Sequence, residues 1–108
     1  MLRKPLTAGL ALSIALLAGT SAIAQQRVLT FNTDTSDPAP KAAFEALIAD
    51  FEAEYPDIDV QVNLFDHEGY KTAIRNFLTA DSPDLANWYA GNRMKPFVDA
   101  GQFMDVSD

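Results

Sequence analysis

The chain has 108 residues, with 8 basic against 15 acidic side chains and no cysteine. The missing thiol excludes disulfides, thiolate zinc sites and thiol catalysis together. The acidic excess, with no basic stripe to offset it, argues against nucleic acid or an anionic lipid surface as a partner.

Arg3 and Lys4 open the chain, residues 6–17 are apolar without an acidic residue, and Ala22-Ile23-Ala24 forms a small-x-small pattern before Gln25. That is the pattern of an export signal peptide over residues 1–24. The apolar run falls short of the roughly 20 residues a membrane-spanning helix needs. No cysteine follows that could carry a lipid, so no membrane anchor is expected. Removing this segment with its two basic residues leaves 84 residues, six basic against fifteen acidic, a net charge of −9. A core of that size without disulfides is marginal. The stop at Val106-Ser107-Asp108 reads as a truncation, because a complete domain of this pattern would leave a parallel sheet with open edges.

Residues 27–31 (RVLTF) are β-rich and predict the first strand. Asn32 to Pro38 then read as a polar loop at that strand's C-terminal end, where open α/β sheets bind ligands. Thr33 and Asp34 are the candidate contacts in it, with Ser36 or Asp37 as a helix cap. The loop has no glycine, so a Gly-rich phosphate cradle is absent.

From Pro38 the period is helical. Phe44, Leu47, Ile48, Phe51 and Tyr55 draw one apolar stripe, and Glu45, Asp50, Glu52 and Glu54 fall off it. Pro40 suits the first turn and Pro56 ends the helix near Tyr55. The period then changes to two, with Ile58, Val60, Val62 and Leu64 on one side of a second strand. Asp66 is placed to cap a second helix running to about Ala80, with Tyr70, Ile74, Phe77 and Leu78 as its stripe and Lys71 and Arg75 outside. Turn residues through Pro83 lead into Asp84–Tyr89, which predicts a third strand. A short helix over residues 93–100 follows, with Gly101 as its C′ residue. The order β-α-β-α-β-α predicts an α/β fold on a parallel sheet with right-handed crossovers.

FEALIADFEAEYPDIDVQV, YKTAIRNFLTADSPDL, NWYAGNRM and VDAGQFMDVSD together cover nearly all of residues 25–108. In these stretches the chain resembles extracellular solute-binding protein family 1, the sugar-binding components of ABC importers, a family that includes maltose-binding protein. The helix-to-strand join F-x-x-x-Y-P-x-I-x-V and the S-P-D before the third strand carry the resemblance; neither is a catalytic signature. It implies that residues 25–108 are the start of the N-terminal lobe of a two-lobed periplasmic-binding-protein fold. It also implies a periplasmic, monomeric, non-enzymatic receptor without cofactor or metal that hands a carbohydrate to the membrane permease subunits. The positions matching the family's cleft are Thr33, Asp34, Asp66, His67, Trp88, Tyr89, Asn92 and Arg93. An aromatic face suits the C–H face of a pyranose, and carboxylate, amide and guanidinium groups suit its hydroxyls.

Two alternatives stand beside this reading. One is an exported hydrolase-like enzyme using Asp34, His67 and Glu68 as acid–base groups. The other is a binder of a non-sugar solute. For Trp88 and Tyr89, core packing is the structural alternative to ligand contact.

Overall fold

The computed structural model describes residues 25–108. The segment expected to be a signal peptide, residues 1–24, lies outside the described residues.

Three parallel strands form the sheet: β1 (Arg27–Thr33), β2 (Ile58–Leu64) and β3 (Leu85–Ala86), in the order β2-β1-β3. The helices are α1 (Pro38–Glu54), α2 (His67–Ala80) and α3 (Lys95–Asp99), the last preceded by a 3₁₀ turn at Gly91–Arg93. The element order and the parallel α/β architecture follow the sequence pattern. The connection through α1 places β2 on one side of β1. The connection through α2 places β3 on the other, so the chain reverses direction across β1. Such a reversal opens a crevice at the C-terminal ends of the strands.

β1 is two residues longer than its β-rich run. It pairs with β2 from Arg27↔Ile58 to Thr33↔Leu64, so Asn32 and Thr33 belong to the strand and not to the loop. Both are buried, and both have polar partners: Asn63 Nδ2 donates to Asn32 Oδ1 at 2.8 Å, and the Thr33 hydroxyl lies 3.0 Å from that of Thr35. Satisfied side chains let a polar pair enter a buried strand. β3 is shorter than expected, because only Leu85 and Ala86 pair, with Phe31 and Asn32. Asn87 still donates its N–H to the Asn32 carbonyl at 3.3 Å, but Trp88 and Tyr89 leave the ladder.

The core lies on the α2 side of the sheet. Tyr70, Ile74, Leu78 and Phe97 are buried, with Phe65, Phe77, Trp88 and Phe103 packed against them. The α2 stripe therefore faces as its period requires. Asp66 caps α2 by accepting from Gly69 N–H at 2.7 Å. Phe97 brings α3 into the same cluster, and Gly101, at φ 70°, ends α3. There Gly101 N–H bonds Val98 O and Gln102 N–H bonds Phe97 O, each at 2.9 Å, closing the helix in a Schellman motif.

The α1 side departs from the expectation. No α1 residue is fully buried; Phe44, Ile48 and Phe51 are half covered, and Leu47 is 63% exposed. Phe44 reaches Phe31 with ring centroids 5.8 Å apart, so only part of the stripe touches the sheet. Asp37 stands at the N-cap without a side-chain hydrogen bond, and Pro40, at N3, removes one of the two donors it could have capped.

Candidate functional site

A cavity of about 340 Å³ opens where β1 and β3 end. Its walls come from three separate segments: Asp34 and Thr35 after β1, His67 at the start of α2, and Asn87, Trp88 and Tyr89 after β3. Asp37 and Pro40 close one side. Each segment arrives there for a local reason. Asp34 follows a strand that the β2 ladder holds to its last residue. His67 sits one residue after the Asp66 cap. Asn87 is fastened by the Tyr70 hydroxyl, which shares its proton between Asn87 O at 2.7 Å and Asn32 O at 3.1 Å.

The polar side chains form a chain of contacts. Asn87 Nδ2 donates to Asp34 Oδ1 at 3.2 Å, and the other carboxylate oxygen meets His67 Nδ1 at 2.7 Å. The far ring nitrogen, His67 Nε2, lies 2.8 Å from the Tyr89 hydroxyl. The Arg93 guanidinium covers the Tyr89 ring at 4.6 Å from its centroid, a cation–π contact that fixes the ring's far side. Asn87 Oδ1 is buried without a protein partner. Behind this chain, burial first and the Asp34 charge second push the Tyr70 phenol well above its ordinary range. Tyr70 is thereby kept as a neutral donor to two backbone carbonyls.

Of the eight residues that the sequence singled out, Asp34, His67, Trp88 and Tyr89 line this cavity. Thr33 is buried in β1, and its hydroxyl accepts from Thr35 N–H at 3.1 Å; it supports the loop from below. Asp66 is occupied as the α2 cap. Asn92 and Arg93 line a second groove of about 480 Å³ on the other side of Trp88, together with Lys71 and Arg75. Trp88 divides the two spaces. Its Nε1–H donates to Arg93 O at 3.0 Å, and its ring meets Phe97 edge-on at 5.9 Å and Tyr70 at 6.0 Å. It is half-buried, serving the core and the cavity wall together.

Asn87 and Thr35 are the contacts that sequence reasoning missed. Asn87 was hidden inside a run expected to be strand up to Tyr89. A strand ending at Ala86 puts Asn87 first among the residues beyond the C-terminal edge. Glu68, the third group of the acid–base alternative, pairs with Lys71 at 2.9 Å on the surface of α2. That ammonium holds its carboxyl below the usual range. Among the described residues there is no cluster of potential metal ligands, and no helix is long and apolar enough to cross a membrane.

The family model of the bacterial extracellular solute-binding proteins matches residues 35–108. The chain belongs to that family. Among solved structures, the solute-binding chain is similar to the bacterial solute receptor AcbH, described as having an exclusive preference for β-D-galactopyranose. The two are 35% identical, with a TM-score of 0.64 over 71% of this chain and 19% of that receptor. The present chain thus spans about a fifth of the receptor's length. No curated protein matches it.

Proposed function

We propose that this solute-binding chain contributes one wall of a carbohydrate site and serves a non-catalytic receptor that passes its sugar to the permease of an ABC importer. The observation that carries this is the meeting of two carboxylates, one imidazole, one carboxamide and two aromatic rings around the cavity at the ends of β1 and β3. Polar groups placed singly between aromatic faces suit a pyranose, with hydroxyls around its rim and C–H bonds on its faces. The likeness to a galactopyranose receptor supports a hexopyranose as the solute.

In this reading Asp34 and Tyr89 meet ligand hydroxyls, His67 and Asn87 hold those two groups in place, and Trp88 presents its free edge to the ring. Asn92 and Arg93 act from the far side of Trp88, and Thr33 and Asp66 hold the loops that carry Asp34 and His67. Residues 1–24 direct export, and the mature protein works as a monomer in the periplasm. An enzyme built on Asp34, His67 and Glu68 has less support, since Glu68 is paired with Lys71 away from the cavity.

The test is a thermal-shift and calorimetric screen of the full-length mature protein against neutral hexoses, amino acids and polyamines. A hexose, D-galactose first, is expected to raise the melting temperature and bind without turnover. Stabilisation by a non-sugar solute alone, or release of product from aryl glycosides, would overturn the proposal.

A further inference from the structure

The Asp34–His67–Tyr89 chain has a direction, and the direction decides what the Tyr89 hydroxyl can offer a ligand. A carboxylate oxygen only accepts, so the 2.7 Å contact with Asp34 places the imidazole proton on Nδ1. In the neutral ring Nε2 is then a lone pair. The Tyr89 hydroxyl, 2.8 Å away, donates its single proton to it. What remains on the Tyr89 oxygen is acceptor capacity alone.

Apart from the Thr35 hydroxyl, the neighbouring wall has the same polarity. Asp34 and Asp37 bring carboxylates, and neither Lys nor Arg is among the lining residues. Arg93, the nearest cation to Tyr89, is engaged with the ring face at 4.6 Å and not with the hydroxyl. Asn87 spends an amide proton on Asp34, and its Oδ1 is buried, so it offers the cavity no donor in exchange.

From this we infer that Tyr89 is a specificity residue that accepts from a ligand hydroxyl, that His67 is the positioning residue that sets this polarity, and that the wall selects neutral sugars with a free hydroxyl there over uronates and sulfated sugars. The inference rests on the carbohydrate reading of the cavity and adds the polarity of the recognised group. A ligand carboxylate or sulfate oxygen would bring lone pairs and charge against lone pairs and charge. A hydroxyl would supply the missing proton.

Fluorine in place of a hydroxyl keeps size and dipole but cannot donate, which makes fluorinated sugars the discriminating probe. The experiment is calorimetry on the full-length protein with D-galactose, its four monodeoxyfluoro analogues at positions 2, 3, 4 and 6, and D-galacturonate. It is run on wild type, Tyr89→Phe and His67→Ala, with melting curves to confirm folding. At least one fluoro analogue is expected to bind on the order of three- to tenfold more weakly than galactose to wild type. In Tyr89→Phe the penalty at one of the penalised positions should disappear. In His67→Ala it should shrink, because the Tyr89 proton is released and can turn to meet fluorine; a merely structural role for His67 would leave the ratio unchanged. D-galacturonate should bind more weakly than galactose to all three proteins. Absence of any fluoro penalty in wild type, or persistence of the penalty at every penalised position in Tyr89→Phe, overturns the inference while leaving the sugar site standing. Failure of galactose and every other neutral hexose to bind removes both.

Discussion

Asp84 and Thr30 grip each other three times across the edge of the sheet. The Asp84 carboxylate accepts from Thr30 N–H at 2.8 Å and from the Thr30 hydroxyl at 2.9 Å, and Asp84 N–H donates back to Thr30 Oγ1 at 3.0 Å. This clamp gives the Ser82-Pro83-Asp84 motif a physical purpose. β3 has only two paired residues, too few to hold its register unaided. The aspartate supplies the alignment, and thereby places Asn87, Trp88 and Tyr89 at the cavity.

The clamp predicts a pH dependence. The two Thr30 donors, backbone first, hold the Asp84 carboxyl below its ordinary value. A group whose folded-state pKa is depressed stabilises the fold above its unfolded value, about 3.9 for aspartate, and loses that contribution as pH falls through the folded value. Asp84→Asn should therefore lower the melting temperature at pH 7, with the gap to wild type closing below about pH 4. Melting curves from pH 7 to pH 3 check this. A gap that stays constant to pH 3 would mean that the carboxylate's charge contributes nothing to the clamp.

Tyr70→Phe removes one oxygen from a fully buried ring. Asn32 O keeps its bond from Asn87 N–H, but Asn87 O loses its 2.7 Å partner and stays close to the core. Leaving a buried acceptor unpaired costs about 1–3 kcal/mol. Affinity should fall as well, since Asn87 carries the amide that steadies Asp34. Denaturant unfolding and sugar titration of the same variant measure both effects. A stability loss without any change in affinity would show that the Asn87 backbone keeps its place unaided.

Much of this architecture was legible in the sequence because periodicity reports which face is apolar. The α2 stripe of Tyr70, Ile74 and Leu78 is buried as its spacing requires, and the Asp66 cap and the Gly101 stop fall where their chemistry places them. Periodicity does not report how completely a face is covered. The α1 stripe has the same spacing, yet Leu47 is largely exposed and Phe44 and Ile48 are only half covered. Polarity misled at the other boundary: Asn32 and Thr33 looked like loop, but they are strand residues with side-chain partners. The candidate site was legible in part, by other means. Asp34 was placed by its position after β1, while His67, which opens α2, and Tyr89, beyond β3, were singled out by the family resemblance. Asn87 depended on where β3 stops, and that is set by the distant contacts of Thr30 and Tyr70.

Gly69 and Asp66 predict a coupling whose sign changes with background. A Cβ at Gly69 would sit 2.7 Å from Asp66 Oδ2, so Gly69→Ala should push the cap aside. Losing an aspartate cap costs about 0.5–2 kcal/mol. Alanine recovers up to about 1 kcal/mol of helix preference over glycine. In the native protein the two should nearly cancel, leaving Gly69→Ala neutral or mildly destabilising. In an Asp66→Ala background there is no cap to lose, and Gly69→Ala should stabilise. Four melting curves complete the cycle; purely additive effects would show that Asp66 rotates away from the added methyl at no cost.

Trp88 serves two purposes, and two substitutions separate them. Its ring packs on Tyr70 and Phe97, its Nε1–H is spent on Arg93 O, and it lines the cavity as well. Trp88→Ala should cost stability, about 2–4 kcal/mol for a large aromatic that is only partly covered. It should also weaken sugar binding by about 1–3 kcal/mol, or roughly ten- to a hundredfold, if the ring's free edge meets the ligand. Trp88→Phe keeps an aromatic against Tyr70 and Phe97 but cannot bond Arg93 O. It should recover most of the stability and less of the affinity, because the smaller ring no longer reaches the cavity wall. Melting curves and calorimetry on both full-length variants read the two losses separately. Equal recovery of stability and affinity in Trp88→Phe would make Trp88 a support for Arg93 and Tyr89. An unchanged dissociation constant in Trp88→Ala, beside a large stability loss, would assign the ring to the core alone.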